Sequence, residues 1–180
     1  MCDAAARVRS AEASDAEHIA AVYRPYVSDT AVSFEESPPD GDEIRRRMQA
    51  PPRLPWFVAE RDARIVGFCY GSQHRRRPAY RWSVDCSVYV ADTEQRRGTG
   101  RALYVRLLAE LAALGYVSAF AGVTIPNDAS KAFHESLGFA PLGVYRNAGF
   151  KLGRWHDVAW LQRPLREPPA KPPEPLPWNA

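Results

Sequence analysis

The segment VYVADTEQRRGTG, residues 88–100, decides the fold of this chain. Its first three residues end a β-rich run that begins at Trp82, and beyond its last glycine the apolar residues take the spacing of an amphipathic helix. Glycine lets the backbone approach a ligand closely, and the unpaired N–H groups at a helix N-terminus form an anion site. Residues 88–100 therefore predict a strand, a phosphate-binding turn and a helix. The residues that mark this helix are Leu103, Leu107, Leu108, Leu111 and Leu114.

A dinucleotide-binding fold is the first alternative for such a turn. That fold needs a third glycine, and Val105 and Arg106 occupy the following turn instead. Residues 56–60 and 65–70 are two β-rich runs joined by a short polar turn, which indicates an antiparallel hairpin rather than a repeated strand-helix-strand order. The sequence thus favours a mixed α/β domain of another kind.

The remaining patterns give the order of the other elements. A capping box at residues 14–17 is expected to start the first helix, and residues 40–49 predict a second helix that carries three arginines on a solvated face. The further expected strands cover residues 6–9, 117–124, 142–150 and 155–161, and a further helix covers residues 130–137.

Composition and charge indicate the class of protein. Of 180 residues, 46% are hydrophobic and 25% charged, with a net charge of +3, which is typical of a globular domain and not of a polyanion binder. We expect one domain over residues 7–163, between a flexible N-terminus at residues 1–6 and an extended proline-rich tail at residues 164–180.

Apolar runs and cysteines exclude further classes. No stretch stays apolar for the length of a membrane span, so no membrane partner is expected. The cysteines lack the spacing of metal ligands, which predicts no metal and a reduced, cytoplasmic protein. They are Cys2, Cys69 and Cys86.

Residues 88–100 also resemble the acetyl-CoA motif of the GNAT superfamily of N-acetyltransferases. The segments NDAS and FHESLGF, at residues 127–130 and 133–139, resemble its second CoA-side motif. The similarity narrows to phosphinothricin and methionine sulfoximine N-acetyltransferases and covers most of residues 7–163. The segments that carry this narrower similarity are residues 32–34, 55–60, 79–82, 125–128 and 149–158.

The resemblance implies a fold and a co-substrate. We expect a single α+β domain with a central, mostly antiparallel, splayed sheet of about seven strands flanked by about four helices. Acetyl-CoA would be the co-substrate, and a small-molecule amine would attack its thioester directly. A backbone N–H of Val88, Tyr89 or Val90 would face the developing oxyanion. The residues expected along the pyrophosphate and the pantetheine arm are Arg96, Arg97, Gly98, Thr99, Gly100, Arg101, Asn127 and Ser130.

Asp85 and His134 are the expected catalytic residues. The family places a glutamate, proposed as the general base, at the position of Asp85, whose side chain is one methylene shorter. Asp85 is therefore expected to act through a bridging water or to position the ammonium group, unless it is only tied to a nearby donor. His134 stands where family members protonate the leaving thiolate, which suits an imidazole that titrates near neutral pH. Its alternative is a helix histidine bonded to the backbone.

A substrate that is an α-amino acid with a further polar or anionic head needs a guanidinium and a shaping aromatic ring. Phe34 and Arg77 match substrate positions of the resembling family, and Tyr80 and Lys151 are expected substrate contacts close to them. Arg75 and His156 are nearby candidates. Each of these side chains has a plain surface or core role as its alternative, and Lys151 or His156 could equally stabilise the last hairpin.

Other functions are also compatible with the sequence. A non-catalytic acyl-CoA-binding sensor would explain the shorter carboxylate at Asp85. A nucleic-acid binder could use the arginines at residues 45–47 and 75–77, but aromatic interleaving and strong net charge are missing. An acetyltransferase could also act on another amino acid, a polyamine or a protein N-terminus. The resemblance favours a homodimer.

Overall fold

One open sheet of seven strands organises residues 5–179, which this computed structural model describes. The strand order is β1-β2-β3-β4-β5-β7-β6; β4 and β5 are parallel, and the other neighbouring pairs are antiparallel. The strands are β1 Arg7–Ser10, β2 Trp56–Arg61, β3 Arg64–Gln73, β4 Ser83–Val90, β5 Ser118–Ile125, β6 Ala140–Lys151 and β7 Arg154–Pro164. The α-helices are α1 Ala16–Ser28, α2 Gly41–Gln49, α3 Thr99–Ala113 and α4 Asp128–Ser136.

The predicted fold class is confirmed, with small shifts at element ends. Each expected strand and helix is present, and the hairpin expected at residues 56–70 is the antiparallel pair β2–β3. The flexible N-terminus expected at residues 1–6 falls mainly on residues 1–4, which lie outside the described residues. Between residues 5 and 179, no helix has the length and apolar character that a membrane crossing requires.

The first helix starts differently from the prediction. The capping box expected at residues 14–17 is wrong, because α1 begins at Ala16 with Asp15 as its N-cap residue. The Asp15 carboxylate accepts hydrogen bonds from the Glu12 backbone N–H at 2.8 Å and from the Arg9 guanidinium at 2.7 and 2.8 Å. A partner on β1 therefore fixes the start of α1, and a local pattern does not include that partner.

The sheet separates two apolar cores. Phe57, Cys69 and Cys86 pack on the face covered by α3, whereas Val58 and Phe68 pack on the face covered by α1 and α2. Successive side chains of a strand point to opposite faces. The residues that alternate with Cys86 along β4, among them Asp85, therefore point to the α1–α2 face.

Strands β4 and β5 stay together for only part of their length. Ser83–Asp85 pairs with Ser118–Phe120. Beyond these residues β4 continues to Val90 and β5 to Ile125 without pairing to each other. The two strands therefore separate after Asp85, and this opening is the splay that the resemblance implies.

Residues 165–179 of the proline-rich tail form no helix or strand, but they are packed against the domain. Leu176 N–H donates to the Leu114 carbonyl at 2.8 Å, and the Trp82 indole donates to the Pro173 carbonyl at 2.7 Å. Trp178 is only 3% exposed, and its ring centroid lies 6.1 Å from that of Phe57. The tail thus contributes a core side chain.

We predict that Trp178→Ala lowers the free energy of unfolding by about 3 kcal/mol, because it empties a buried aromatic site. Leu176→Ala is the matched control, since Leu176 lies in the same tail and is 62% exposed; it should cost less than about 0.5 kcal/mol. Urea unfolding of both variants measures the difference. Equal losses for the two variants would show that the tail is not anchored through Trp178.

Candidate active site

The separation of β4 from β5 leaves one edge of β4 without a strand partner. The Ala91 N–H donates to the Val66 carbonyl on β3 at 2.8 Å, so Ala91 directs its backbone toward β3. Because successive residues of a strand direct their backbone groups to opposite edges, Cys86, Val88 and Val90 direct theirs toward β5. After Asp85 that edge faces the opening.

Two tyrosine hydroxyls replace part of the missing pairing. Tyr104 from α3 donates to the Cys86 carbonyl at 2.9 Å, and Tyr26 from α1 donates to the Val90 carbonyl at 2.6 Å. Among the described residues, no side chain is hydrogen-bonded to the backbone of Val88, which lies between them. The opening therefore offers the backbone of Val88 to a ligand.

The glycine-rich turn has the geometry of an anion site. Gly98 has φ +83° at the N-cap of α3, and Arg96 has φ +62°. No side chain caps α3, and a Cβ added to Gly98 would meet no heavy atom within 4 Å. Left-handed residues turn successive N–H groups to one side, and the dipole of α3 favours negative charge there. The predicted phosphate turn is thus open at the start of α3.

The buried carboxylate of Glu94 holds this turn in place. Glu94 is 4% exposed, lies 3.0 Å from the Arg61 guanidinium and accepts a hydrogen bond from the Thr99 hydroxyl at 3.0 Å. The Thr99 side chain therefore supports the turn and leaves its backbone to a ligand. The exposed arginines around the turn are Arg96, Arg97 and Arg101.

The second CoA-side segment forms the start of α4. The Asn127 carboxamide oxygen accepts the Ser130 N–H at 3.0 Å, so Asn127 caps the helix. The Ser130 carbonyl accepts a hydrogen bond from His134 Nδ1 at 2.7 Å. Asn127 and Ser130 thus belong to one chain of contacts that ends at the predicted catalytic histidine.

His134 is buried and has partners at both ring nitrogens. Its Nε2 lies 3.1 Å from the Tyr104 hydroxyl, which has one proton to share between this nitrogen and the Cys86 carbonyl. A carbonyl only accepts hydrogen bonds, so Nδ1 carries the proton that is donated to Ser130. Burial lowers the pKa of His134 and raises the pKa of Tyr104 well above 10. At neutral pH, His134 Nε2 is therefore an acceptor facing a protonated tyrosine.

Asp85 is bound to a histidine that no sequence pattern identified. Asp85 Oδ1 and His74 Nδ1 are 2.6 Å apart. The His74 ring stacks on Phe120, with 4.1 Å between centroids and 11° between planes. Phe120 is also the last β5 residue paired with β4, opposite Asp85. Burial raises the pKa of Asp85. A half-buried carboxylate–imidazole pair thus lies where the two strands separate.

The predicted substrate residues fall into two groups. Tyr80 lies beside the carboxylate–imidazole pair, with its ring 6.0 Å from that of His74. Arg77 is exposed on the same loop, and its carbonyl accepts the Tyr80 N–H at 3.0 Å. The structure therefore brings Tyr80 to His74 and leaves the Arg77 side chain at the surface.

Phe34 and Lys151 meet at the end of β6. Lys151 is buried, and its ammonium donates to the carbonyls of Val27 and Ser33, both at 2.6 Å. Burial lowers the pKa of Lys151. The neighbouring Phe34 ring covers Gly149, where an added Cβ would lie 2.4 Å from a ring carbon. Lys151 thus holds the loop that carries Phe34, a supporting contact outside the hairpin that the sequence analysis gave as its alternative role.

Sequence reasoning missed His74, Tyr104 and Tyr26. His74 stands in a polar loop beside three arginines, and only its contact with β4 marks it. Tyr104 and Tyr26 lie at apolar positions of amphipathic helices, so periodicity classes them as core residues. A tyrosine among leucines is the available signal, because a buried hydroxyl needs a partner. Within residues 5–179, no group of three His, Cys, Asp or Glu side chains could hold a metal ion.

Comparison with known sequences places these features in a family. Residues 8–160 match the model of the acetyltransferase (GNAT) domain. The chain is 36% identical over 170 residues to the phosphinothricin N-acetyltransferase of Streptomyces viridochromogenes, covering 94% of this chain and 92% of that protein. It is 32% identical over 162 residues to the L-methionine sulfoximine/L-methionine sulfone acetyltransferase of Salmonella typhimurium, covering 89% and 95%.

A solved structure agrees with this placement. The crystal structure of a GNAT superfamily phosphinothricin acetyltransferase from Sinorhizobium meliloti, in complex with AcCoA, matches with a TM-score of 0.89 at 35% identity over 95% of both chains. The splayed strands and the open turn are thus features of a fold shared with an AcCoA-bound enzyme. The resemblance read from residues 88–100 and 127–139 is confirmed, and the chain belongs to the GNAT acetyltransferase family.

Proposed function

We propose that this acetyl-CoA-dependent N-acetyltransferase acetylates the α-amine of phosphinothricin, methionine sulfoximine or a similar amino acid. The observation that carries the proposal is the carboxylate–imidazole pair at the point where β4 and β5 separate. It faces the α1–α2 side of the sheet, and the open turn begins α3 on the other side. An amine and an acyl donor would thus approach the opening from two sides.

The opening fits the acyl donor. Acetyl-CoA, when bound, supplies the thioester whose acyl group is transferred. The open N–H groups at Gly98, Thr99 and Gly100 suit its pyrophosphate, with charge from the surrounding arginines. The N–H of Val88 would stabilise the negative charge that develops on the carbonyl oxygen, because it is fixed in place before the reaction.

Tyr104 and His134 would act on the leaving group. A thiol ordinarily has a pKa of about 8.5, and burial raises the pKa of Tyr104 well above 10. Full proton transfer from Tyr104 to a thiolate is therefore unfavourable. The hydroxyl would instead donate its one proton in a hydrogen bond to the departing sulfur. His134 Nε2, 3.1 Å away, would position the hydroxyl by accepting that same proton before the thiolate forms.

The substrate side combines aromatic and charged groups. Tyr80 would contact the amine end near Asp85, and Arg77 would pair with the carboxylate or anionic head of the amino acid. Phe34 would shape the substrate site near the end of β6. Lys151 would act indirectly, because its ammonium is bound to the carbonyls of Val27 and Ser33 and fixes the Phe34 loop.

Thiol release from acetyl-CoA with a panel of amines tests the reaction. We expect saturable turnover with phosphinothricin and methionine sulfoximine. Asp85→Asn should lower kcat about 100-fold or more, because the carboxylate–imidazole pair that supplies general base catalysis is broken. Asp62→Asn is the matched control, since Asp62 lies in the exposed β2–β3 turn with φ +50°. Binding of acetyl-CoA without turnover on any amine would establish a sensor instead.

Removal of the Tyr104 hydroxyl tests the leaving-group role. Tyr104→Phe should lower kcat about 10- to 100-fold and change the KM for the amine little, because one hydrogen bond to a charged atom is lost. The buried Tyr116→Phe is the matched control. Steady-state kinetics at a temperature well below unfolding give the comparison. An unchanged kcat in Tyr104→Phe would remove Tyr104 and His134 from this step.

We also propose that the protein is a homodimer through the β6–β7 hairpin. β6 is the last strand of the sheet, and the hairpin exposes a row of large apolar side chains. A long apolar edge strand left in water invites association, and a second copy offers the same self-complementary surface. The exposed residues are Leu142, Val144, Tyr145, Phe150, Leu152 and Trp155.

Light scattering after size exclusion tests this interface. The wild type should have twice the chain mass of 20.2 kDa. Trp155→Arg should shift the mass toward one chain, because Trp155 is 61% exposed on the hairpin. Val105→Arg, at a 50% exposed position on α3, should leave the dimer intact. A wild type at the mass of one chain would contradict the dimer.

The location proposed for this enzyme is a reducing cytoplasm. Cys69 and Cys86 are free and buried on neighbouring strands. Burial raises the pKa of both thiols, so they stay protonated and unreactive. Unpaired cysteines of this kind support a reducing compartment.

A further inference from the structure

The His74 ring is held by several contacts although the residue lies in a loop. Its side chain is 10% exposed, its Nδ1 is bound to Asp85, and its ring is stacked on Phe120. The ring of Trp160 approaches it at 6.1 Å and 79°, so an aromatic edge limits rotation. The imidazole is thus held in one orientation by β4, β5 and β7.

This orientation sets which nitrogen can accept a proton. An ionised carboxylate only accepts hydrogen bonds, so the nitrogen facing Asp85 carries a proton. In the neutral ring Nε2 is then the basic atom. No described residue gives Nε2 a hydrogen-bond partner. The ring therefore has one nitrogen bound to the protein and one available to a ligand.

The cavity next to His74 suits an amino acid. His74, Arg75, Phe120, Tyr145 and Trp160 line a cavity of about 150 Å³ beside the separation of β4 and β5. The buried Trp160 indole N–H has no partner among the described residues. A base and a cation together match an ammonium and a carboxylate on one carbon atom.

We propose that His74 is the general base of the reaction, and that Asp85 positions its ring and stabilises the imidazolium. The inference rests on the proposed function. It also accounts for the aspartate, since the imidazole adds the reach that a shorter carboxylate lacks. The arrangement parallels the use of a carboxylate to orient a catalytic histidine in hydrolases.

The proton balance of the step is complete. The ammonium gives one proton to His74 Nε2, and the freed nitrogen lone pair forms a C–N bond with the thioester carbonyl carbon. The C–S bond breaks, and its electron pair leaves on sulfur. The second amine proton passes to the sulfur or to solvent, and the imidazolium releases its proton to solvent. The products are an acetamide, a CoA thiol and one proton.

The charged and titratable groups that face His74 set the pH dependence. They are Asp85 on β4, Arg75 in the loop, Tyr80 in the short turn and Tyr145 on β6. Only the neutral imidazole can accept a proton, so kcat should depend on pH through this ring. A variant without the imidazole should lose that dependence.

The substitution His74→Asn separates a base from a positioning residue. The asparagine amide can still donate to Asp85 but cannot accept an ammonium proton. We expect kcat to fall by about 100-fold or more and to lose its dependence on pH. The KM for acetyl-CoA should stay unchanged. Added imidazole should restore part of the activity of His74→Ala. His18→Asn, at an exposed position on α1, should match the wild type.

Opposite results would overturn the proposal. Near-wild-type kcat in His74→Asn, with a loss in Asp85→Asn, would make Asp85 the base. Nitrogen-15 NMR of the wild type reads the ring directly, and a proton on Nε2 instead of Nδ1 would contradict the pairing without any assay. A wild type that acetylates no amine would overturn the proposed function and the proton transfer with it, while the NMR result would still report the pair.

Discussion

Backbone hydrogen bonding between β4 and β5 stops after Asp85 and Phe120, and the site depends on that stop. An unpaired backbone inside a protein is costly, so the separation needs compensation. The hydroxyls of Tyr104 and Tyr26 provide it at the Cys86 and Val90 carbonyls. Within residues 5–179, no side chain is hydrogen-bonded to the backbone of Val88 between them, and we propose that an acyl group is polarised there.

The separation of β4 from β5 also brings together the groups on the two faces of the sheet. On the α3 side, Glu94 supports the open turn, and Tyr104 links β4 to His134. On the α1–α2 side, Asp85 is the last paired residue and holds His74. Because alternate residues of one strand serve opposite faces, a single strand can present an acyl donor to one side and an amine to the other.

Local patterns predicted much of this architecture. The change from strand to helical spacing around residues 88–103, with glycines between, gave the turn and the start of α3. The hairpins followed from polar turns between β-rich runs. The start of α1 was misplaced because its partner, Arg9, lies on β1. Interactions between elements do not appear in the spacing of residues within one element.

The site was predictable only in part for the same reason. The glycine-rich turn was predicted from its spacing, and Asp85 and His134 were predicted through the resemblance, whereas His74 could not be found without the fold. His74 meets Asp85 because β3 and β4 pair with Ser72 opposite Asp85, which puts the residues just after β3 beside it. Lys151 was expected at the substrate, and its two carbonyl partners come from distant segments.

We propose that the unpaired edge of β4 receives the thioester at Val88. A crystal structure of this protein with acetyl-CoA measures this directly, through the distance between the thioester carbonyl oxygen and the Val88 nitrogen. We expect a hydrogen bond of about 3 Å there, with the pyrophosphate on the N–H groups that start α3. A carbonyl oxygen bound elsewhere, with β4 and β5 closed over Val88, would contradict it.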